Sequence, residues 1–351
     1  MMAGIGMNIA MIGYGFMGRA HSNAFLQAPR FYATKIRPRL KVVCGRDRAA
    51  VDSMAAQWGW EETATDWRSV IDRKDIDAID IAAPNYLHSE IAIAAAQAGK
   101  IVLCEKPLAI SVAEAERMTQ AVKPVANMVW FNYRRVPAIA RAKQWVDAGR
   151  IGRVFHYRAQ YLQQWGTDAS RRPGWKLNLA EAGSGVVGDL LSHALDLALF
   201  LNGPVADVSA EMATFVPRRE IEDAAVVLAR FENGSIGTFE ATRFATGCVN
   251  RNAFEMHGDR GMLGFDLEDM TRLRYFDATE PVEEQGIRAI PVVNANFWRP
   301  GHPTGYEHTF IAAFGEFLQA LESGQRFRPD FEDGLAVQRL VDRILSFKRK
   351  V

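Results

Sequence analysis

The chain has 351 residues, of which 48% are hydrophobic and 24% are charged, and its formal net charge is +1. This length suits two domains better than one core. The near-neutral charge excludes the basic surface that nucleic acids or anionic membranes require, and it leaves small neutral or anionic molecules as substrates. We therefore expect neither a nucleic acid nor a membrane as a partner.

The cysteines and the N-terminal segment indicate the cellular setting. Cys44, Cys104 and Cys248 have no metal-type spacing, which is typical of a reduced, cytoplasmic protein. The segment from Met1 to Met7 has neither the charged nor the apolar region of a signal peptide. We expect no stretch apolar for long enough to span a membrane. The sequence thus predicts a cytoplasmic protein.

A glycine motif follows the first predicted strand, Asn8 to Ile12, and a helix is predicted from Arg19 to Leu26. In G-x-G-x-x-G the first glycine makes a tight turn and the second lets the backbone approach a pyrophosphate. The third lets helix and strand pack closely. The motif predicts a dinucleotide-binding loop made of Gly13, Gly15, Phe16, Met17 and Gly18.

The end of the next predicted strand, Leu40 to Cys44, indicates which nicotinamide cofactor binds. An acid directly after this strand would bond the ribose 2′-hydroxyl of NAD. Gly45 occupies that place, and Arg46 can hold the 2′-phosphate of NADP. The residues therefore favour NADP, with NAD as the alternative.

Strands and helices alternate through the first part of the chain. Predicted strands at 78–82 and 101–104 lead into Ala83-Pro84-Asn85 and Glu105-Lys106-Pro107. This alternation predicts a doubly wound parallel sheet, which binds ligands at the carboxyl ends of its strands. We predict a Rossmann domain over residues 1–126. Residues 127–351 are predicted to form a substrate-binding α+β domain with a large, mostly antiparallel open sheet.

The stretch from Gly183 to Phe200 is almost wholly apolar from Val187 onward, which predicts a buried helix. Four polar residues lie on one face of it: Asp189, Ser192, His193 and Asp196. A buried polar stripe needs partners, so it is either a satisfied internal network or the wall of a site. A second G-x-G-x-x-G, at residues 183–188, follows no strand and is expected to permit close packing.

Together these motifs resemble the Gfo/Idh/MocA family of nicotinamide-dependent oxidoreductases, which act on sugars and inositols. The resemblance rests on the glycine loop, Ala83-Pro84-Asn85 with His88, Glu105-Lys106-Pro107, and Gly188-Asp189 with His193 and Asp196. Beyond the glycine loop, Gly45 and Arg46, the expected cofactor residues are Ala83, Pro84, Asn85, His88, Glu105, Lys106 and Trp175. The resemblance also implies a homo-oligomer, a dimer or tetramer, that uses the open face of the large sheet.

Other segments, such as Phe131-Asn132-Tyr133-Arg134-Arg135, resemble the family members that oxidise C3 of pyranoses or anhydrosugars. The substrate residues that this implies are Lys106, Tyr133, Gln163, Gln164, Trp165, Asp189 and His193. Aromatic rings and amides suit the apolar face and the hydroxyls of a pyranose. Arg134 and Lys176 are expected to line cofactor or substrate, and His302 and Tyr306 to close over the site. No histidine has metal-type spacing, so no metal is predicted.

Oxidation of a secondary alcohol needs a base for the hydroxyl proton and a donor that steadies the oxygen as it becomes a carbonyl. The predicted catalytic residues are Lys106, Asp189 and His193. Our hypothesis makes His193 the general base, while Lys106 and Asp189 orient and polarise the hydroxyl. Whether Lys106 or His193 takes the proton stays open at this point.

Two other functions fit the same residues. A nicotinamide-dependent glycoside hydrolase would form a transient ketone, eliminate the aglycone and restore the alcohol. A non-catalytic dinucleotide-binding sensor would need the fold but not Lys106, Asp189 and His193 together, and their presence argues against it.

Overall fold

The computed structural model describes residues 5–168, 174–299, 301, 302 and 304–347. The chain divides into two compact units, Met1–Asn132 with Gly305–Ala336, and Tyr133–Thr304 with Val337–Val351. The sequence placed all of 127–351 in the second domain. The structure differs because Gly305–Ala336 belongs to the first unit, where it packs through aromatic rings. The ring centroids of Phe314 and Phe25 are 4.7 Å apart.

The first unit contains a six-stranded sheet in the order β3-β2-β1-β4-β5-β6, and every neighbouring pair is parallel. Its strands are β1 (Ile5–Ile12), β2 (Ile36–Cys44), β3 (Glu62–Ala64), β4 (Ala78–Ile81), β5 (Ile101–Cys104) and β6 (Asn127–Val129). The helices between them are α1 (Phe16–Phe31), α2 (Arg48–Trp58), α3 (Trp67–Ile71), α4 (His88–Gln97) and α5 (Val112–Ala121). The predicted doubly wound parallel sheet is confirmed.

The strand order reverses between β1 and β4, at the centre of this sheet. In doubly wound sheets a ligand binds in the crevice outside the carboxyl ends of the strands, at such a reversal. The loops that leave these ends begin at Gly13 after β1, at Ala82 after β4 and at Glu105 after β5. The predicted cofactor segments of this unit therefore lie at one edge of one sheet.

The second unit contains an eight-stranded sheet in the order β14-β13-β12-β11-β7-β10-β9-β8. Its strands are β7 (Val154–Leu162), β8 (Val205–Ala213), β9 (Ala224–Phe231), β10 (Ile236–Thr242), β11 (Arg251–Gly258), β12 (Gly261–Asp266), β13 (Arg272–Asp277) and β14 (Arg288–Pro291). Strands β7 and β10 run parallel, while the other neighbours are antiparallel. The predicted large, mostly antiparallel sheet is confirmed.

Helices complete the two units. The second unit has α6 (Pro137–Asp147), α7 (Leu179–Ala182) and α8 (Ser192–Asn202), with a π-helical turn, Val187–Leu191, directly before α8. The last helices of the chain are α9 (Glu307–Ser323) and α10 (Phe331–Leu345).

The two faces of the large sheet differ in burial. On β9, Val227 and Phe231 are buried, whereas Val226 and Leu228 are more than half exposed. Ile236 on β10 is also more than half exposed and lies opposite Arg230 of β9. Because side chains alternate along a strand, one face packs on the core and the other is open in this chain.

The segment Leu179–Asn202 corrects the expectation that no stretch could span a membrane. By length and composition alone it is long and apolar enough to do so. Its most apolar window is 83% buried within the protein. The predicted buried helix accounts for that apolar character, since a core helix must be apolar on most sides.

Candidate active site

The glycine loop between β1 and α1 has the geometry that its motif predicts. Gly13 has a φ of +123°, and a Cβ there would lie 2.2 Å from the carbonyl oxygen of Ala82, so only glycine fits. A Cβ on Gly18 would lie 2.9 Å from the carbonyl oxygen of Gly13, which is the close packing expected of the third glycine. The backbone therefore leaves no room for a side chain at Gly13 or Gly18.

The N-terminus of α1 suits an anion. Helix α1 begins at Phe16, its N-cap Gly15 makes no side-chain capping bond, and its first turn has no acidic residue. A Cβ on Gly15 would meet nothing within 4 Å, so the backbone is open there. Uncapped N–H groups and the positive end of the helix dipole favour a phosphate. The loop therefore fits a dinucleotide.

The residues after β2 bear on the choice of cofactor. A Cβ on Gly45 would lie 2.2 Å from the ring of Tyr14, so an acid at this position would require that ring to move. The carboxylate of Asp47 caps α2, since it accepts the N–H of Ala50 at 3.1 Å. Arg46 is exposed. No carboxylate thus occupies the position from which NAD-specific folds bind the ribose.

The loops after β4 and β5 contain the other predicted cofactor residues of the first unit. Ala83, Asn85 and Glu105 are buried, and Pro84 and Lys106 are half-buried. His88 is completely buried, and its ring nitrogens lie 3.0 Å from the carbonyl oxygen of Ala83 and 3.1 Å from that of Pro107. This position suits a residue that holds the two loops together better than it suits the predicted contact with a cofactor.

The head of the apolar helix is fixed by a buried carboxylate. Glu222 accepts the N–H groups of Gly185 at 2.6 Å and Val187 at 3.1 Å. A Cβ on Gly185 would lie 2.0 Å from the carbonyl oxygen of Glu222. The second glycine motif therefore contributes close packing in the structure. The negative charge of this carboxylate also interacts favourably with the positive end of the helix dipole.

Asp189, in the π-helical turn, forms ion pairs with two cationic side chains. Its Oδ1 lies 3.0 Å from Nζ of Lys176, and its Oδ2 lies 3.1 Å from Nη2 of Arg243. Arg243 is completely buried, its guanidinium lies 4.8 Å from the ring centroid of Trp165, and it also donates to the carbonyl oxygen of Gly185. Both oxygens of Asp189 are thereby fixed, as a group that orients a substrate requires.

His193 lies one turn further along and packs against two neighbouring tyrosines. Its ring centroid is 4.7 Å from that of Tyr133 and 5.7 Å from that of Tyr161. The two phenolic oxygens are 3.1 Å apart and share a hydrogen bond. Only a small part of the imidazole is exposed. Contact with these two rings restricts the orientation of the imidazole, which suits a general base.

Two polar residues of the stripe belong to an internal network. The guanidinium of Arg134 donates to both carboxylate oxygens of Asp196, the shortest contact being 2.6 Å, and both side chains are buried. The hydroxyl of Ser192 donates to the carbonyl oxygen of Gly188 at 2.6 Å. For these residues the interpretation as a satisfied network describes the structure. Arg134 is thus engaged with Asp196.

The parallel pair in the large sheet brings the predicted substrate residues Gln163 and Trp165 together with Arg243. These segments leave the carboxyl ends of β7 and β10, and the N–H of Gly166 donates to the carbonyl oxygen of Arg243 at 2.8 Å. The indole N–H of Trp165 donates to Gln163, whose amide donates to Asn250. Gln163 therefore orients Trp165.

The remaining candidates make other contacts. The amide oxygen of Gln164 accepts the N–H of Gly247 at 2.8 Å, and Trp175 lies 5.8 Å below the ammonium group of Lys176. His302 is exposed, and Tyr306 stacks on Phe16 of the glycine loop with ring centroids 6.2 Å apart. Within the described ranges, no group of three His, Cys, Asp or Glu side chains is arranged to hold a metal ion.

Sequence reasoning missed Arg243 and Tyr161. Arg243 directly follows the buried end of β10, Ala241 and Thr242, and a charge at such a place is a signal, since a buried cation requires a partner. Tyr161 gave no signal of its own, because aromatic residues on β7 read as core. Both become visible only when the end of β7 is placed beside Arg243 and Tyr133.

The parallel sheet, its strand order and its glycine loop define a dinucleotide-binding protein of the Rossmann class. The family model for an oxidoreductase family with an NAD-binding Rossmann fold matches residues 7–133, and that for the GFO/IDH/MocA C-terminal domain matches residues 139–264. The chain belongs to the Gfo/Idh/MocA oxidoreductase family.

Individual relatives agree with this assignment. The chain is 36% identical to levoglucosan dehydrogenase of Pseudarthrobacter phenanthrenivorans, over 98% of this chain and 96% of that protein. A solved levoglucosan dehydrogenase in complex with NADH and levoglucosan matches with a TM-score of 0.95 at 37% identity, over 97% of this chain and 96% of that one. An oxidoreductase domain protein from Kribbella flavida matches with a TM-score of 0.95 at 45% identity, over 98% and 97% of the two chains.

Proposed function

We propose that this protein is an NAD(P)-dependent dehydrogenase that oxidises a secondary hydroxyl, at C3 of a pyranose or an anhydrosugar, to a ketone. The observation that carries this proposal is the pair Asp189 and His193, with the carboxylate held by Lys176 and Arg243 and the imidazole packed against two tyrosines. Membership of an oxidoreductase family and similarity to levoglucosan dehydrogenase support the choice of substrate class.

In the proposed reaction His193 takes the proton of the reacting hydroxyl. Asp189 accepts a hydrogen bond from the substrate and fixes the direction of that hydroxyl, because its own orientation is fixed at both oxygens. Lys106, at the end of β5, is assigned the polarisation of the same oxygen. A bound nicotinamide cofactor would supply the acceptor for the hydride that leaves the carbinol carbon.

The proposed substrate contacts are Tyr133, Gln163 and Trp165. A sugar offers an apolar C–H face to aromatic rings and hydroxyls to amides. Tyr133 is largely buried against His193, so we assign it to the shape of the site near the base. Trp165, held by Gln163 and backed by Arg243, is assigned to the sugar face.

We propose that the cofactor is bound by the glycine loop and by the loops after β4 and β5, and that NADP is preferred. The support for NADP is the exposed Arg46 next to Gly45, with Asp47 engaged as a helix cap. The solved levoglucosan dehydrogenase contains NADH, but that finding concerns the relative and not this chain. NAD is therefore the alternative cofactor, and the assay of function compares it with NADP.

We also propose a cytoplasmic homo-oligomer, a dimer or tetramer, that uses the open face of the eight-stranded sheet. Val226, Leu228 and Ile236 support this, because three exposed aliphatic side chains on one face of a sheet favour burial against a partner. Sedimentation analysis of the purified protein and of Leu228→Asp measures the assembly. The oligomer is expected for the wild type and a smaller species for the variant.

The assay of function follows reduced nicotinamide by absorbance, with NAD and NADP in turn and a panel of pyranoses, 1,6-anhydrosugars, glycosides and inositols. Steady reduction with one sugar supports the dehydrogenase. Release of an aglycone without net reduction, abolished when the cofactor is stripped, would instead identify the glycoside hydrolase. If the protein binds the cofactor but catalyses neither reaction, it is either a sensor or an enzyme whose substrate lies outside the panel. In both cases the proposed sugar class would be wrong.

A further inference from the structure

A buried histidine of α1 lies between two carboxylates. Nδ1 of His21 is 2.8 Å from Oδ2 of Asp80 on β4, and Nε2 is 3.0 Å from Oε1 of Glu105, directly after β5. His21 and Asp80 are completely buried, and Glu105 is almost so. A neutral imidazole has one N–H, so only the imidazolium can donate to both carboxylates.

Aromatic rings surround this imidazolium. The ring of His21 stacks on Trp130 with centroids 4.0 Å apart and planes 19° apart, and Phe310 lies 5.6 Å away. The indole N–H of Trp130 donates to the other oxygen of Asp80 at 2.8 Å. Aromatic faces favour a cation, and the indole completes the hydrogen bonding of the carboxylate.

The charged groups that face His21 favour its protonated form. Burial by itself lowers the pKa of His21, but the charges and hydrogen bonds of Asp80 and Glu105 outweigh it and raise the pKa to about 9. Within the part of the chain that the structure describes, these two carboxylates are the ionisable groups bonded to the ring. The imidazolium therefore persists at neutral pH and is lost as the pH rises through about 9.

Glu105 links this cluster to Lys106. Its second oxygen, Oε2, accepts the backbone N–H of Lys106 at 3.0 Å. On the other side of Lys106, the carbonyl oxygen of Pro107 lies 3.1 Å from Nδ1 of the buried His88. The residues on both sides of Lys106 are thus tied to buried histidines.

We propose that His21 is a positioning residue for the dehydrogenase: its imidazolium fixes the carboxylate of Glu105, and Glu105 in turn fixes the backbone of Lys106. The inference rests on the proposed function, in which Lys106 polarises the reacting hydroxyl. His21 acts only through Glu105. When the imidazolium loses its proton, one of the two carboxylates loses its donor, and the segment that carries Lys106 is held less firmly.

The test compares His21→Gln with the wild-type enzyme. Glutamine keeps an amide donor but cannot carry the charge, so we expect kcat to fall on the order of 10- to 100-fold, with a smaller change in KM. The decline of wild-type kcat above about pH 9 should be absent from the variant. Histidine-selective nitrogen NMR should show one imidazolium that persists to about pH 9 and that His21→Gln lacks.

A control separates positioning from stability. Asn127 makes hydrogen bonds to Val125 and Phe331 in the same unit, so Asn127→Ala should lower Tm but leave kcat and its pH profile unchanged. If His21→Gln behaves in the same way, with the alkaline decline intact, His21 is structural and the proposal is wrong. An imidazole that titrates below neutral pH would also overturn it.

Two further variants keep the result interpretable. If His21→Gln does not fold, Glu105→Gln decides, because loss of one carboxylate should move the alkaline decline to lower pH, and an unmoved decline contradicts the proposal. Lys106→Met tests the reaction itself. An active Lys106→Met would refute the assigned role of Lys106, whereas an inactive one beside an unimpaired His21→Gln would refute only the role of His21.

Discussion

The glycine loop of the first unit and the Asp189 cluster of the second are built in different ways. In the loop, six consecutive residues, 13–18, form the turn and the helix N-terminus. In the cluster, Lys176, Asp189 and Arg243 come from separate segments and meet through side chains. A local motif can therefore be recognised in a sequence, whereas a cluster assembled by tertiary packing can be recognised only in a structure.

The largest expected effect tests the assembled cluster at its proposed base. His193→Asn removes the group that takes the proton, so kcat should fall by about 10²- to 10⁴-fold while cofactor affinity is retained. Steady-state kinetics and NAD(P)H titration measure both. The control is Asn202→Ala on the same helix, which removes a buried hydrogen bond to Ser235 and should leave kcat unchanged. Equal activity of His193→Asn and wild type would remove His193 as the base.

The next test breaks the cation pair around Asp189. Arg243→Met should lower kcat/KM on the order of 10- to 100-fold, because Oδ2 of Asp189 loses the hydrogen bond from Arg243. Asp189→Asn alone should destabilise the fold by about 3–5 kcal/mol, since it leaves the buried guanidinium uncompensated. The double variant should be more stable than Asp189→Asn.

Arg150 provides a matched control for that experiment. Its guanidinium also covers an indole ring, that of Trp145 at 4.1 Å, but it is exposed. Arg150→Met should leave kcat/KM at the wild-type value. Additive stability losses in the Asp189 and Arg243 double variant would show that the two residues act independently, which would contradict the described cluster.

A smaller effect tests the local motif. Gly15→Ala places a methyl group in open space, so Tm should not change, but the pyrophosphate can no longer approach the backbone. We expect the Kd for NAD(P)H to rise by about tenfold or more, measured by fluorescence titration. In contrast, Gly59→Ala at the left-handed C-cap of α2 should lower Tm and leave Kd unchanged. An unaltered Kd for Gly15→Ala would place the cofactor elsewhere.

The smallest expected effect concerns the choice of cofactor. Arg46→Gln should lower kcat/KM with NADP by about tenfold, as expected for the loss of one charge-assisted contact to a phosphate. The value with NAD serves as the internal control and should change little. A wild-type enzyme that prefers NAD, or a variant with an unaltered ratio, would show that Arg46 does not select NADP.

Much of the fold was predictable because its signals are local. Apolar strands that alternate with helices specify the parallel sheet, and turn residues separate the strands of the second unit. The placement of α9 was not predictable, because nothing in the sequence around Phe314 shows that its ring packs on Phe25. Such long-range packing depends on the shape of the finished core.

The site was predictable to the extent that one helix carries it. Spacing put all four polar residues on one face, and the family resemblance selected Asp189 and His193 as candidates, whereas Asp196 and Ser192 make internal contacts. Periodicity could not separate Asp189 and His193 from the other two residues. All four lie on one polar face of the helix and differ only in the partners that other segments supply. His21 was equally hidden, because a single histidine in a predicted helix does not reveal the two carboxylates beside it.

Transfer of deuterium tests the central claim most directly. The wild-type enzyme is incubated with NAD or NADP and the best pyranose or anhydrosugar, labelled with deuterium at C3, and the reduced cofactor is analysed by mass spectrometry. We predict that the reduced cofactor contains the deuterium and that His193→Asn forms almost none of it. Reduced cofactor without deuterium would contradict oxidation at C3, and the absence of any reduced cofactor would contradict the dehydrogenase.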